Sequence, residues 1–456
     1  MKLAADIPRH SDVLIIKATI ITGAFLPVLA DGAILVRAGK IMATGSSDEL
    51  LTQFPDVKTL DASGYIIMPG LFNTHTHVAL GFFRGLGHGK SNMIESFLFP
   101  AEKSLTPELL EPLSHSYIFD GLRAGVTSFV DHYYFSEGIG HAFEKFGVRG
   151  WIGETIADLG GAFSGRDSWD RAKNLIEKSS FGPLIRHVVS PHAADTVSPA
   201  LLKECADYAK ANNLTLHMHL SQTQGEFDRV QARDHVTPVE AAQRAGALGP
   251  RSLVVHLTSA TKKDLKIIKE SGATIGYCPT STLLYDRLAD IRTIHDLDIP
   301  LAIGTDCAAS HDSADSLGEI KIAGLLARHQ GVAISQLSPD HLLAMATTIP
   351  AAVLGVSAEL GTLEVGKQAD LIFLKESLSS EPKKNPLANV IYSMGARDVT
   401  HVMINGNWTL WNRNLPNLDH DELTSQYLAA VNEIQKRIRH SKQPNDGKPN
   451  GDKLNR

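Results

Sequence analysis

The chain has 456 residues, enough for a large core and more than one module. Its 44 basic and 50 acidic residues leave a formal net charge of −6, with no basic block outside a polar C-terminal tail, which argues against nucleic acid as a partner and suits an enzyme with a small-molecule substrate. No apolar run reaches membrane-spanning length, the N-terminus lacks the apolar stretch of a signal peptide, and three widely spaced cysteines (Cys205, Cys278, Cys307) support neither a disulfide framework nor a Cys-x-x-Cys zinc site. The expected setting is cytoplasmic, with no membrane partner.

The first predicted elements are short strands broken by Gly and Asp, at Val13–Thr22, Gly32–Arg37, Lys40–Ala43 and Tyr65–Met68. From about Pro69 the chain repeats a strand, a polar loop and a helix. Eight strands are predicted, at Leu71–His77, Val126–Tyr133, Arg149–Thr155, Arg186–Ser190, Leu214–Leu220, Leu253–Thr258, Ala273–Tyr277 and Pro300–Asp306. Helical patterns fall between them at Glu108–Ala124, Ser198–Asn212, Thr261–Glu270 and Leu317–His329, with Ser-Pro at one start and Gly just past two ends. Eight alternating units predict an α/β fold, a (β/α)8 TIM-type barrel over residues 69–358, with catalytic groups at the C-terminal ends of its strands.

After Gly361 a second strand-rich set appears, at Ala369–Leu374, Asn389–Ser393, Val399–Ile404 and Trp408–Trp411, with Asn405-Gly406 as a type I′ hairpin signal. The two ends, residues 1–68 and 359–440, most simply form one small β-sandwich; two separate β domains are the alternative. Residues 441–456 are too polar to bury and are expected to be disordered.

Chemistry concentrates at the predicted strand ends. In Met68–Val78 an apolar strand runs into a His-x-His pair, and because side chains alternate faces along a strand, His75 and His77 point the same way and can hold one metal. His-Met-His at 217–219, Val-Val-His at 254–256 and Gly-Thr-Asp at 304–306 each place a ligand or proton carrier at the end of an apolar run. The Pro-Cys-x-x-Cys signature of the small zinc nucleobase deaminases is missing. The Gly-rich run 85–89 is not a phosphate loop, since no strand precedes it and no capped helix follows.

These motifs resemble the amidohydrolase superfamily, in particular its branch of S-adenosylhomocysteine/5′-methylthioadenosine deaminases and triazine hydrolases. The resemblance extends to about residue 415. It rests on Pro-Gly-Leu-Phe-Asn-Thr-His-Thr-His (69–77), Ser-Pro-His-Ala (190–193), His-Met-His-Leu-Ser-Gln-Thr (217–223), Val-His-Leu-Thr (255–258), Gly-Thr-Asp-Cys-Ala-Ala-Ser (304–310) and Gly-Thr-Leu-Glu-Val-Gly-Lys-Gln-Ala-Asp-Leu (361–371). It implies that His75, His77, His219 and Asp306 bind one divalent metal, zinc before ferrous iron. A second metal would need a bridging carboxylated lysine, and the third to fifth barrel strands contain no lysine. It further implies that His256 contacts the attacking water and shuttles its proton, with Asp306 as acceptor of that proton. His217, one pleat deeper, reads as a core histidine.

One departure bears on the substrate. The deaminases carry His-x-x-Glu-Thr after strand five, the glutamate protonating the substrate ring; here the segment reads His219-Leu-Ser-Gln222-Thr. Glutamine donates a hydrogen bond but delivers no proton, and Glu226 aligns with a second, more distant family acid. Ala194-Asp195 in place of Pro-Tyr, and Cys278-Pro279-Thr280-Ser281-Thr282 in place of Asn-Pro-x-Ser-Asn, are smaller departures. By resemblance His192 hydrogen-bonds the substrate ring and Glu95 binds a ribose, while His132 and Tyr133 could line the pocket. The expected activity is deamination of an exocyclic amine on a purine-like or other N-heterocyclic small molecule, by a homo-oligomer as family members commonly are. The alternatives are hydrolysis of a C–Cl, N-alkyl or amide bond of a triazine-like substrate, and a non-catalytic metal-binding protein.

Overall fold

Apolar runs and their breakers become strands and turns in the computed structural model, which describes residues 12–89, 93–285 and 287–441. Five strands, β1 (Val13–Ile21), β2 (Val28–Arg37), β3 (Lys40–Ser46), β4 (Thr59–Asp61) and β5 (Tyr65–Pro69), precede the barrel. The barrel strands are β6 (Leu71–Thr76), β7 (Val126–Tyr133), β8 (Arg149–Ile156), β9 (Ile185–Pro191), β10 (Thr215–Leu220), β11 (Ser252–His256), β12 (Thr274–Tyr277) and β13 (Leu301–Ile303). Three more follow: β14 (Leu371–Lys375), β15 (Val399–Ile404) and β16 (Asn407–Leu410).

Strands β6 to β13 pair in chain order as one parallel sheet, with helices in the connections, as a (β/α)8 barrel requires. The seam between β13 and β6 closes through residues just past β13. The Thr305 and Asp306 amides both donate to the His75 carbonyl, at 3.2 and 3.0 Å. Thr74 Oγ1 donates to the Ile303 carbonyl at 2.7 Å, and the Asn73 amide brackets Thr305. Gly304 permits this approach: a Cβ there would lie 2.9 Å from the His75 Cβ. The closing seam therefore fixes the spacing between two of the predicted ligands.

The chain ends build a second sheet, ordered β16-β15-β14-β5-β1-β2-β3 with β4 beside β1. Antiparallel pairing of β5 with β14, from Tyr65 opposite Lys375 to Pro69 opposite Leu371, knits the two ends together. The Val-Leu-Ile-Ile start of β1 is continuously apolar because both faces are covered. Val13 and Ile15 join a core with Ile34, Phe373 and Trp408, while Leu14 and Ile16 pack with Leu35 and Leu50. Asn405 and Gly406 both take positive φ, 50° and 75°, as a type I′ turn demands.

Two segments depart from expectation. Asn389–Ser393 is not a strand: Pro386–Tyr392 is a helix capped by the Asn385 side chain, and Leu387, Val390 and Ile391 recur at helical spacing on its buried side. A 22-residue helix, His420–Ser441, lies where no helix was anticipated. Its Leu423, Ala430 and Ile434 are buried in the main core, and it packs on the barrel helix Pro107–Arg123. The polar tail beyond Ser441 lies outside the described residues. No helix among the described residues is long and apolar enough to cross a membrane.

Candidate active site

Six barrel strands deliver histidines or a carboxylate to one end of the barrel. Two overlapping triads form there, His75/His219/His256 and His75/His77/Asp306, each with one nitrogen or oxygen per residue within 4.8 Å of the others. The Asp306 Oδ1 lies 3.8 Å from His75 Nε2 and 3.5 Å from His77 Nε2. All four sequence-proposed ligands are thus brought together, and His256 joins His75 and His219 in the first triad. The His219 and His256 rings stack at 5.6 Å with 8° between their planes.

Hydrogen bonds settle which ring nitrogen carries the lone pair. His77 Nδ1 bonds the His132 carbonyl, and His219 Nδ1 bonds the His192 carbonyl at 2.9 Å. A carbonyl only accepts, so both Nδ1 atoms are protonated and both Nε2 atoms present lone pairs. His75 Nδ1 lies 2.9 Å from His217 Nε2, so His217 is the group that orients His75, a role beyond that of a core histidine. His75 Nε2 and both nitrogens of His256 are buried without a protein partner. Burial lowers the pKa of every histidine here, to about 4 at His256 and about 3 at His217, so the imidazoles are neutral at pH 7. Neutral imidazoles with inward lone pairs beside a carboxylate form a donor set that fits zinc or ferrous iron, and a divalent cation would satisfy the orphan lone pair of His75 Nε2.

The backbone bends sharply at these positions. His256, Leu257 and Asp306 have positive φ (82°, 55° and 60°), as does Ser221 just after β10 (48°). Non-glycine residues occupy this region at a cost of order 1–3 kcal/mol each, and they cluster at functional sites. Surrounding bonds hold the bends in place. Ser281, in the helix after β12, donates to Asp306 Oδ2 at 2.6 Å, which leaves Oδ1 toward the histidines. Asp131 on β7 accepts the Val78 amide at 2.7 Å and fixes the chain immediately after His77. Glu226 accepts the Ser221 and Gln222 amides at 3.0 and 2.7 Å, and the Thr258 hydroxyl bonds the Gln222 carbonyl. Ser281, Asp131 and the cap role of Glu226 were not anticipated, although the Ser281 segment stood out as a departure from the family pattern.

Beside the cluster opens a cavity of about 660 Å³, lined by His77, His132, His192, His219, Gln222 and Asp306 among others. His192 is oriented by a 2.8 Å contact between its Nδ1 and Thr196 Oγ1. His132 contributes twice, its carbonyl to His77 and its buried ring to the wall. Gln222 lies in the wall with its backbone clamped on both sides. Glu95 also reaches the cavity, but its side chain is 45% exposed and paired with Arg229 at 2.9 Å, while Arg229 also pairs with Asp195 at 2.8 Å. His256 does not reach the wall; it sits fully buried beneath the His219 ring.

Comparison with known proteins places this geometry in a family context. A model of the amidohydrolase family matches residues 66–409, and a model of an imidazolonepropionase-like composite domain matches residues 32–56. The chain is 32% identical over 410 residues to a 5-methylthioadenosine/S-adenosylhomocysteine deaminase of Syntrophobacter fumaroxidans, covering 88% of this chain and 93% of the relative. It is 30% identical to a 5′-deoxyadenosine deaminase of Methanosphaera stadtmanae, covering 82% and 89%. An adenosine deaminase from Xanthomonas campestris, solved with zinc, superposes with a TM-score of 0.87 at 28% identity over 94% of this chain and 99% of that one. The atrazine chlorohydrolase of Arthrobacter aurescens, also solved with zinc, shares the fold, with a TM-score of 0.82 at 22% identity over 92% and 100%.

Proposed function

We propose, for a chain that belongs to the metal-dependent amidohydrolase family, that it is an aminohydrolase which replaces an exocyclic amino group on a purine-like N-heterocycle with a carbonyl and releases ammonia. The observation that carries this reading is the convergence of neutral imidazole lone pairs and the Asp306 carboxylate beside a cavity large enough for a nucleoside-sized ligand. The deaminase names of relatives at 30% identity or more support the substrate class.

His75, His77, His219 and Asp306 would hold one divalent cation, zinc in preference to iron, which would supply Lewis acidity and lower the pKa of water to about 7. Asp306 fits the role of proton acceptor because Ser281 occupies Oδ2 and leaves Oδ1 facing the histidines. His256, neutral and with both nitrogens unengaged, can take or give a proton from below. His192, fixed by Thr196, can hydrogen-bond a ring over the cluster. His132 completes the wall.

Gln222 favours a second reading, hydrolysis of a C–Cl, N-alkyl or amide bond on a triazine-like ring, since that side chain cannot protonate a ring nitrogen. A non-catalytic metal-binding protein is the third. The test combines elemental analysis with ammonia release across adenosine derivatives, pterins, guanines and triazines. One metal per chain and ammonia from a purine-like substrate support the proposal. Chloride or alkylamine release would select the second reading, and bound metal without any turnover the third. Full activity after chelation and dialysis would overturn the metal assignment.

A further inference from the structure

Glu319 is a carboxylate buried away from the cavity, where the site's chemistry does not call for one. It lies on the outer helix Ser316–His329 and is 1% exposed, in a helix that also buries Leu317, Ile320 and Ala323. Burying a charge is costly, and packing alone would be served by an apolar side chain. Its two oxygens nevertheless take three donors. Oε2 accepts the Thr280 amide at 3.0 Å, and Oε1 accepts His311 Nε2 at 2.6 Å and the Thr280 hydroxyl. His311 Nδ1 in turn accepts the Ser313 amide at 3.1 Å, which leaves the ring proton on Nε2, pointing at Glu319.

These donors belong to the two connections that flank Asp306. Thr280 opens the short helix Pro279–Tyr285 after β12, where an amide in the first turn has no acceptor within the helix. The next residue is Ser281, whose hydroxyl bonds Asp306 Oδ2 at 2.6 Å. His311 lies in the connection that leads away from Asp306. One carboxylate thus pins the residue before Ser281 and the chain after Asp306 to the same point. A glutamine could not do so, because its amide nitrogen donates and leaves a single acceptor oxygen. Asp306 itself has a φ of 60°, a bend that persists only when its surroundings hold it.

We propose that Glu319 is a positioning residue for the metal site: through Thr280 and Ser281 it keeps the Asp306 carboxylate turned with Oδ1 toward the histidines. This role rests on Asp306 being a metal ligand. Its test is a double-mutant cycle on wild type, Glu319→Gln, Ser281→Ala and the double variant. Zinc affinity is measured by competition with a chelator, and the thermal midpoint is read on the zinc-free proteins. The visible spectrum is read on each protein saturated with cobalt(II).

Partners that orient a metal ligand contribute about 10–100-fold to affinity, so each single variant is expected to bind zinc about tenfold or more weakly than wild type. Because both act through one contact, the double variant is expected to lose no more than about threefold beyond the weaker single, whereas independent losses would multiply. The cobalt spectrum is expected to shift in the same way in both single variants. Three results overturn the proposal: zinc affinity of Glu319→Gln equal to wild type, whatever its midpoint; a double loss equal to the product of the single losses; or a spectrum shifted by Ser281→Ala alone. Should Glu319→Gln not fold, Thr280→Ala takes its place in the cycle, removing the hydroxyl bond to Glu319 and keeping the amide. A loss of about threefold in wild type and none in Ser281→Ala then supports the proposal, and an equal loss in both backgrounds overturns it. Wild type that holds no zinc sinks the metal assignment together with this role; zinc-binding wild type with unaffected variants sinks this role alone.

Discussion

His256 and Gln222 are the residues on which the chemistry turns, and each can be isolated. His256 is held neutral by burial, its pKa lowered from 6.5 to about 4. Below pH 6.5 the unfolded chain binds a proton that the native state refuses, so this group costs stability as pH falls toward 4. In metal-free protein, urea titrations at pH 6.5 and 4.5 should show wild type losing about 2 kcal/mol more than His256→Gln over that window, from one proton at 1.36 kcal/mol per pH unit. The same variant should keep its metal yet lose about 100-fold or more in turnover, the scale of positioned proton transfer. Near-normal turnover would reduce His256 to packing. Gln222→Glu tests the other residue through a ratio. Glutamate can protonate a ring nitrogen, so efficiency on 5′-methylthioadenosine should rise relative to the best native substrate. An unchanged ratio would mean that residue 222 does not read the ring.

At the scale of elements, the site depends on strand ends that turn out of their strands through left-handed residues and on the loops that hold those turns. The connection after β12 is the clearest case. Ser281 approaches from the short helix Pro279–Tyr285 to bond Asp306 Oδ2, and it also bonds Ser310 Oγ at 2.9 Å, so the connections after two barrel strands share one hydroxyl. Partners that orient a metal ligand typically contribute 10–100-fold to affinity. Ser281→Ala should therefore weaken metal binding by about that factor in competition with a chelator, with little change in fold. Unchanged affinity would show that the seam at His75 orients Asp306 without help.

For the whole molecule, the terminal sheet and the barrel are joined by a buried ion pair. Arg149, at the start of β8, makes two bonds to Asp370 at 2.7 and 2.8 Å, and Asp370 also accepts the Asn405 amide from the β15–β16 turn. Both partners are nearly inaccessible. Removing one side of such a pair leaves an uncompensated buried charge, at a cost of about 3–5 kcal/mol. Asp370→Ala should lose that much in urea unfolding while metal content in the folded protein stays the same. A loss below 1 kcal/mol would show that solvent reaches Arg149 once its partner is gone.

Local pattern alone was enough to read the eight barrel strands and the placement of His75, His77, His219, His256 and Asp306 at their ends, because strand alternation and apolar runs are properties of neighbouring residues. The helix at Pro386–Tyr392 was misread because a short apolar run is ambiguous until its cap and its packing partner are known. The helix at His420–Ser441 had its apolar spacing in plain view. Other features depend on chain segments far apart in sequence. Closure of the barrel brings the Asp306 amide to the His75 carbonyl, His217 beneath His75, and Ser281 onto Asp306. Likewise, Arg229, which follows β10, engages Glu95 from the excursion after β6. Sequence determined which groups stand at the strand ends; the tertiary structure decided how they are oriented and which acids are engaged, because burial and hydrogen-bond partnership arise only when distant segments meet.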